Sequence, residues 1–138
     1  MIEVIHKVHY YETDRMGITH HSNYIRWMEE ARVELLNRLG YGYRRLEEDG
    51  VISPVIGIEC QYKQTTTFDD EVKISARVEK YTGVRLMFRY VMTNTETGDV
   101  VLTGTSSHCF LDKFHKPIIA KKYYPEMDEL LKKLAEEK

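Results

Sequence analysis

The sequence predicts an α+β domain in which one long helix covers a five-stranded, mainly antiparallel sheet. Three observations predict it. From Asn23 to Leu39 the larger apolar residues fall at Tyr24, Trp27, Met28, Ala31, Leu35 and Leu39, steps of three and four that make one continuous stripe. Five other stretches alternate apolar and polar residues at the two-residue period of a strand. Thr82-Gly83 and Glu96-Thr97-Gly98 join successive strands through turns too tight for a crossover helix, so those strands run antiparallel.

Taken in order, Ile2 to Tyr11 is the first strand, with Ile2, Val4, His6, Val8 and Tyr10 on its greasy side. A polar turn then leads into the helix. Ser22 or Asn23 is placed to cap its first turn, and Gly40 supplies a left-handed stop. Arg26, Glu30, Glu34 and Arg38 line another helix face, and the Glu34-to-Arg38 order suits the helix dipole. Tyr43 to Asp49 adds a short helical turn before Gly50 and Pro54 frame the second strand.

Val55 to Gln64 sets Ile56, Ile58, Cys60 and Tyr62 on one side. Thr65 to Asp70 connects it to Glu71–Lys80, where Val72, Ile74, Ala76 and Val78 alternate with charged and polar partners. Val84 to Thr93 places Val84, Leu86, Phe88, Tyr90 and Met92 on one face. In the last strand, Asp99 to Leu111, Val101, Cys109 and Leu111 lie opposite Leu102 and Phe110. Apolar residues on both sides imply a sheet face or edge buried against another copy of the chain. The tail from Pro125 to Lys138 is a short amphipathic helix appended to a single domain spanning residues 1–138.

Composition excludes several functions. Lys plus Arg (20) nearly balance Asp plus Glu (22), leaving no bulk electrostatic case for nucleic acid or an acidic membrane. Cys60 and Cys109 show no CxxC or metal-ligand rhythm and read as reduced thiols of a cytoplasmic protein. The first residues lack a signal-peptide pattern, and no apolar run reaches membrane-spanning length.

The chemistry concentrates in Tyr10-Tyr11-Glu12-Thr13-Asp14-Arg15-Met16-Gly17-Ile18-Thr19-His20-His21-Ser22-Asn23-Tyr24. This junction can hold a carboxylate beside the free amides of a helix start, which attract developing negative charge. Taken alone, Asp14 reads as a turn or capping residue, and Asn23 as a cap. His20 and His21 read as exposed loop residues. No HxH or HxxxH pair on regular structure supports a metal site with His9 and Asp14, and no metal is expected.

Strand, Asp14-x-x-Gly17 turn, His21-Ser22-Asn23-Tyr24, a helix bearing Trp27-Met28-Glu29, then four strands: in this the chain resembles the hotdog-fold acyl-CoA thioesterases. It is similar to the 4-hydroxybenzoyl-CoA thioesterase group and its tol–pal-associated relatives. The resemblance implies sheet order 1-3-4-5-2 wrapped around the helix, and dimers sharing active sites that pair into tetramers. It implies hydrolysis of an acyl-CoA or acyl carrier protein thioester with no cofactor beyond the coenzyme A of the substrate. Asp14 matches the catalytic carboxylate, the His21 amide matches the donor that polarises the thioester carbonyl, and the His21 side chain matches a histidine implicated in the tol–pal branch. Gly17 matches the turn glycine. With His20, Asn23 and Tyr24 it is expected to border the substrate. His20 stands where that branch usually has Tyr, so its acyl preference does not carry over.

A thioester suits so sparse a site. Thiols ionise near pKa ~8.5, so the thiolate leaves without a strong general acid. Asp14 can then act as base on water or as nucleophile. A non-catalytic acyl-CoA-binding or partner-binding protein of the same fold is the alternative. The catalytic pair of a hydratase is not apparent.

Overall fold

The computed structural model describes residues 1–137; the expected end of the last helix at Lys138 lies outside them. Strands β1 (Ile2–Lys7), β2 (Val55–Tyr62), β3 (Glu71–Tyr81), β4 (Arg85–Asn94) and β5 (Val100–Cys109) form one antiparallel sheet of order β1-β3-β4-β5-β2. Helix α1 (Ser22–Leu39) packs against β3 and β1, α2 (Tyr43–Glu48) lies beside α1, and α4 (Pro125–Glu136) packs on β3 with α3 (Ala120–Tyr123) next to it. This is the hotdog architecture, in the strand order the resemblance implies.

Periodicity alone accounts for most of the core. Tyr24, Trp27, Met28, Ala31 and Leu35 are buried against Val72, Ile74, Ala76 and Val78 of β3 and Leu86, Phe88, Tyr90 and Met92 of β4. Gly40 stops α1 at φ 87°, where its amide reaches Asn37 and Leu36 carbonyls. Glu34 and Arg38 pair at 2.9 Å on the exposed face. Met127 and Leu131 of α4 complete the core, but Asp128 is buried with them and accepts hydrogen bonds from the Tyr81 hydroxyl and Lys132.

Four expectations need correction. The first strand ends at Lys7, and Tyr10–Glu12 is a 3-10 turn that leaves Tyr10 and Tyr11 exposed. The residue turned inward there is Glu12, only 5% exposed. Its Oε1 accepts the His9 amide (2.8 Å) and lies 2.8 Å from His6 Nε2, while Oε2 accepts Trp27 Nε1 (2.7 Å). Satisfying this carboxylate bends the chain out of the strand before the alternation runs out. Burial pushes the Glu12 carboxyl up, but the His9 amide, His6 and Trp27 outweigh it and hold it below the ordinary glutamate value.

Second, neither Ser22 nor Asn23 caps α1. His21 occupies the capping position, the Ser22 hydroxyl lies 2.8 Å from His20 Nδ1, and Asn23 reaches back to the carbonyls of Glu12 and His20. Third, β4 begins at Arg85 and Val84 is exposed. Fourth, β5 ends at Cys109, so Phe110 and Leu111 follow the strand, while Val101 and Leu102 near its start are both buried. Its outward residues Thr103, Thr105 and Ser107 are polar, and its inward centre is Gly104, Ser106 and His108.

That polar centre answers a buried cation. Arg32, 5% exposed, donates from Nε to the Tyr43 hydroxyl (2.9 Å) and from Nη1 to the Tyr90 hydroxyl (3.2 Å). The chain continues from Tyr90 to Ser106 (2.7 Å) and from Ser106 to His108 Nε2 (2.8 Å). Burial and then the Arg32 charge push the His108 imidazole down to about 4.

Two stability predictions follow from these buried groups. Because His108 takes up its proton less readily folded than unfolded, its contribution is complete above about pH 6.5 and is lost as pH falls toward about 4. Urea midpoints measured across this range should decline, with a shallower decline in His108→Gln. Glu12→Ala strands three donors and should cost on the order of 3 kcal/mol in urea denaturation at neutral pH.

Candidate active site

The turn between β1 and α1 is a small hairpin closed by the Thr13–Thr19 bridge. The Asp14 amide donates to the Ile18 carbonyl (2.9 Å), and the Gly17 amide to the Asp14 carbonyl (3.0 Å). Gly17 sits at φ +80° with open space around it, so its requirement for glycine is conformational. Within this turn Asp14 Oδ1 accepts the Met16 amide at 2.8 Å. Oδ2 has no hydrogen-bond partner among the described residues. One oxygen fixes the side chain and the other is left over.

Thr66, in the connection after β2, anchors the turn from across the sheet. The Thr19 amide donates to its carbonyl (2.8 Å), and its buried hydroxyl lies 2.6 Å from Thr19 Oγ1 and 3.0 Å from the Tyr24 hydroxyl. Next to it, the Thr67 hydroxyl donates to the Gly17 carbonyl (2.8 Å).

A cleft of about 340 Å³ opens where these segments meet, lined by Ile18, Thr19, His21, Tyr24, Tyr62, Lys63, Gln64 and Thr65. Aromatic rings form one wall: Tyr24 meets Tyr62 edge-on at 5.7 Å, and His21 meets Tyr62 at 6.4 Å. The amides at the helix mouth are nearly all engaged. His20 donates to the Glu12 carbonyl, Ser22 to His20 Nδ1, Asn23 to the His20 carbonyl and Tyr24 to the His21 carbonyl. The His21 amide alone in this run has no acceptor among the described residues.

Of the residues singled out from sequence, His21 and Tyr24 line the cleft. Asp14 and Gly17 belong to the turn beside it and are not among its lining residues. His20 is exposed, with its ring 4.4 Å from that of His21, and Asn23 is buried in its two backbone contacts. Lys63 and Thr65 are also in the wall. Ile18, Thr19, Tyr62 and Gln64 complete the lining, and the Asp14–Tyr24 motif does not point to Tyr62 or Gln64. The alternation of β2 puts Tyr62 on the same side as Ile58 and Cys60, which is the sequence signal for its place in the wall.

Residues 8–129 match the family model of the thioesterase-like superfamily. The chain belongs to that superfamily. It is 37% identical over 121 residues, 87% of each chain, to YneP of Bacillus subtilis, provisionally named an acyl-CoA thioesterase. It is 27% identical over 90 residues, 65% of this chain and 67% of the other, to the acyl-CoA thioester hydrolase YbgC of Escherichia coli. Among solved structures, the DHNA-CoA thioesterase of Staphylococcus aureus superposes with a TM-score of 0.90 at 33% identity, covering 95% of this chain and 88% of that one. Among the described residues, no helix is long and apolar enough to cross a membrane.

The geometry makes Thr66 a positioning residue. Thr66→Val removes the hydroxyl shared by Thr19 and Tyr24 and should cost about 1–3 kcal/mol in urea denaturation.

Proposed function

We propose that this member of the superfamily hydrolyses an acyl-CoA thioester to the free acid and coenzyme A, with the acyl group in the aromatic-walled cleft. The observation that carries the reading is the unpaired His21 amide at the mouth of α1, on a residue that lines the cleft, one short turn from the unpartnered Oδ2 of Asp14. That amide polarises the thioester carbonyl and receives the charge that develops on its oxygen. One such donor is typically worth about 3 kcal/mol. The positive end of the 18-residue α1 adds to it.

Asp14 supplies the other half of the reaction. As general base it takes a proton from water, whose oxygen adds to the carbonyl carbon before the carbon–sulfur bond breaks. As nucleophile it forms an acyl-aspartyl anhydride that water then opens. In either case the sulfur departs with the bonding pair. The chemistry requires neither a metal nor an organic cofactor. Asp14 stands outside the lining of the single chain, so productive geometry needs the thioester drawn over the turn, with Gly17 letting it approach closely.

A second copy completes this picture. Strand β2 has one free edge, carries exposed Val55, Ile56 and Tyr62, and ends in the cleft wall. Pairing of that edge with its equivalent in another chain would cover these residues and close the cleft, giving a dimer with shared sites and a route to a tetramer. The free thiols of Cys60 and Cys109 suit a cytoplasmic setting.

Thiol release from a panel of aliphatic and aromatic acyl-CoAs, with an acyl carrier protein thioester alongside, tests the activity. Asp14→Asn should keep fold and ligand binding while losing about 10²–10⁴-fold in kcat. Undiminished turnover in the variant removes Asp14 from its role. Binding of the whole panel by the wild-type protein without thiol release would instead establish a binding protein.

A further inference from the structure

Outside the cleft, and sharing none of its lining residues, the structure gathers His6, His9 and Glu12. One ligand-type atom from each lies within 4.8 Å of the other two. The spacing His-x-x-His-x-x-Glu is not a recognisable pair on one regular element. It converges only because β1 ends at Lys7 and the 3-10 turn folds Glu12 back beneath the strand. We propose that these three side chains form a binding site for a divalent transition metal of the zinc class.

Two imidazoles and one carboxylate are a donor set that zinc favours, with metal–ligand distances of about 2.0–2.2 Å. Tetrahedral placement brings ligand atoms to roughly 3.3 Å from one another. His6 Nε2 and Glu12 Oε1 are already 2.8 Å apart, so they need only open slightly around an ion. The longer closure falls to His9, whose exposed ring stacks on Tyr11 with centroids 5.0 Å apart and must turn from that stack to reach the ion. Water would take the fourth position.

The surroundings are those of a held ligand set. Glu30 Oε2 lies 3.6 Å from His6 Nδ1, the nitrogen left over when Nε2 takes the metal. That is just beyond hydrogen-bond distance, and closing it would set behind the ligating histidine a carboxylate that fixes its tautomer and raises its basicity. Glu12 is oriented in the same way: Trp27 Nε1 keeps Oε2 and the His9 amide keeps Oε1, so losing the proton of His6 Nε2 to a metal would not leave the carboxylate adrift. The His6 ring also rests on Trp27, with centroids 4.4 Å apart. The site therefore joins β1, the turn and α1, and an ion there would brace the junction that presents Asp14.

Isothermal titration of the chelator-stripped full chain with zinc chloride tests this, with cobalt(II) absorption reporting nitrogen–oxygen coordination. One ion per chain is expected, with a rise in melting temperature on binding. His9→Ala leaves the backbone amide on Glu12 and should fold normally, as checked by circular dichroism, while weakening zinc by more than about tenfold. Glu30→Gln, acting from behind His6, should weaken it about 10–100-fold. His115→Asn, at an exposed histidine elsewhere, should change nothing. Absence of stoichiometric binding, equal affinity in His9→Ala, or loss of binding in His20→Ala instead would overturn the proposal.

Discussion

The buried carboxylate of Glu12 is the constraint on which the junction between sheet and helix depends. A charge removed from water is stable only where donors replace its hydration, and three do so here from β1, the 3-10 turn and α1. The same residue's carbonyl accepts the His20 amide and Asn23 Nδ2. Five bonds thus converge on one residue and fix where the helix begins. Apolar packing tolerates small slides along the stripe; a buried ion with directional partners does not. Asp14, two residues later, has the opposite fate because its turn satisfies one oxygen and leaves the other to solvent or ligand.

The cleft depends on a second, non-local constraint. Residues 17–24 and 62–67 are far apart in the chain and meet through Thr66, whose hydroxyl and carbonyl serve Thr19 and Tyr24 together. Because β2 is an edge strand, the wall it contributes is exposed in a single chain, as Tyr62 shows. Site and edge are thus the same surface, so the second copy proposed for that edge would also close the cleft.

The fold was legible in the sequence because its cues are periodic. The helix stripe and the alternation of β3 and β4 each repeat several times, so one misplaced residue does not hide the element. Gly40 and the two tight turns are local signals of the same clarity. What escaped were features set by a single polar pairing at long range. The alternation of Ile2 to Tyr11 continues past the true end of β1, since nothing in its period registers that Glu12 will turn inward. Ser106 and His108 resemble outward strand residues until Arg32, 74 positions before Ser106, is seen to need acceptors beneath the sheet. Asp14, Gly17 and His21 were legible as a motif. Which of them line the cleft depends on where the chain after β2 returns, and no local spacing encodes that.

The two buried charges, Glu12 and Arg32, do not neutralise each other, and this bears on the oxyanion role proposed for the His21 amide. Each is satisfied by its own set of partners, so each fixes a different stretch of α1: Glu12 its start, Arg32 its middle against β4 and α2. A helix pinned at two points cannot rotate to offer its mouth amides to new partners. At that mouth the acceptors are already assigned, since the Glu12 carbonyl takes His20 and the His20 carbonyl takes Asn23. The His21 amide is left over by this count among the described residues, on a helix held at both points. A donor that is free before substrate arrives, and costs nothing to realign when charge develops, is what stabilisation of an oxyanion requires.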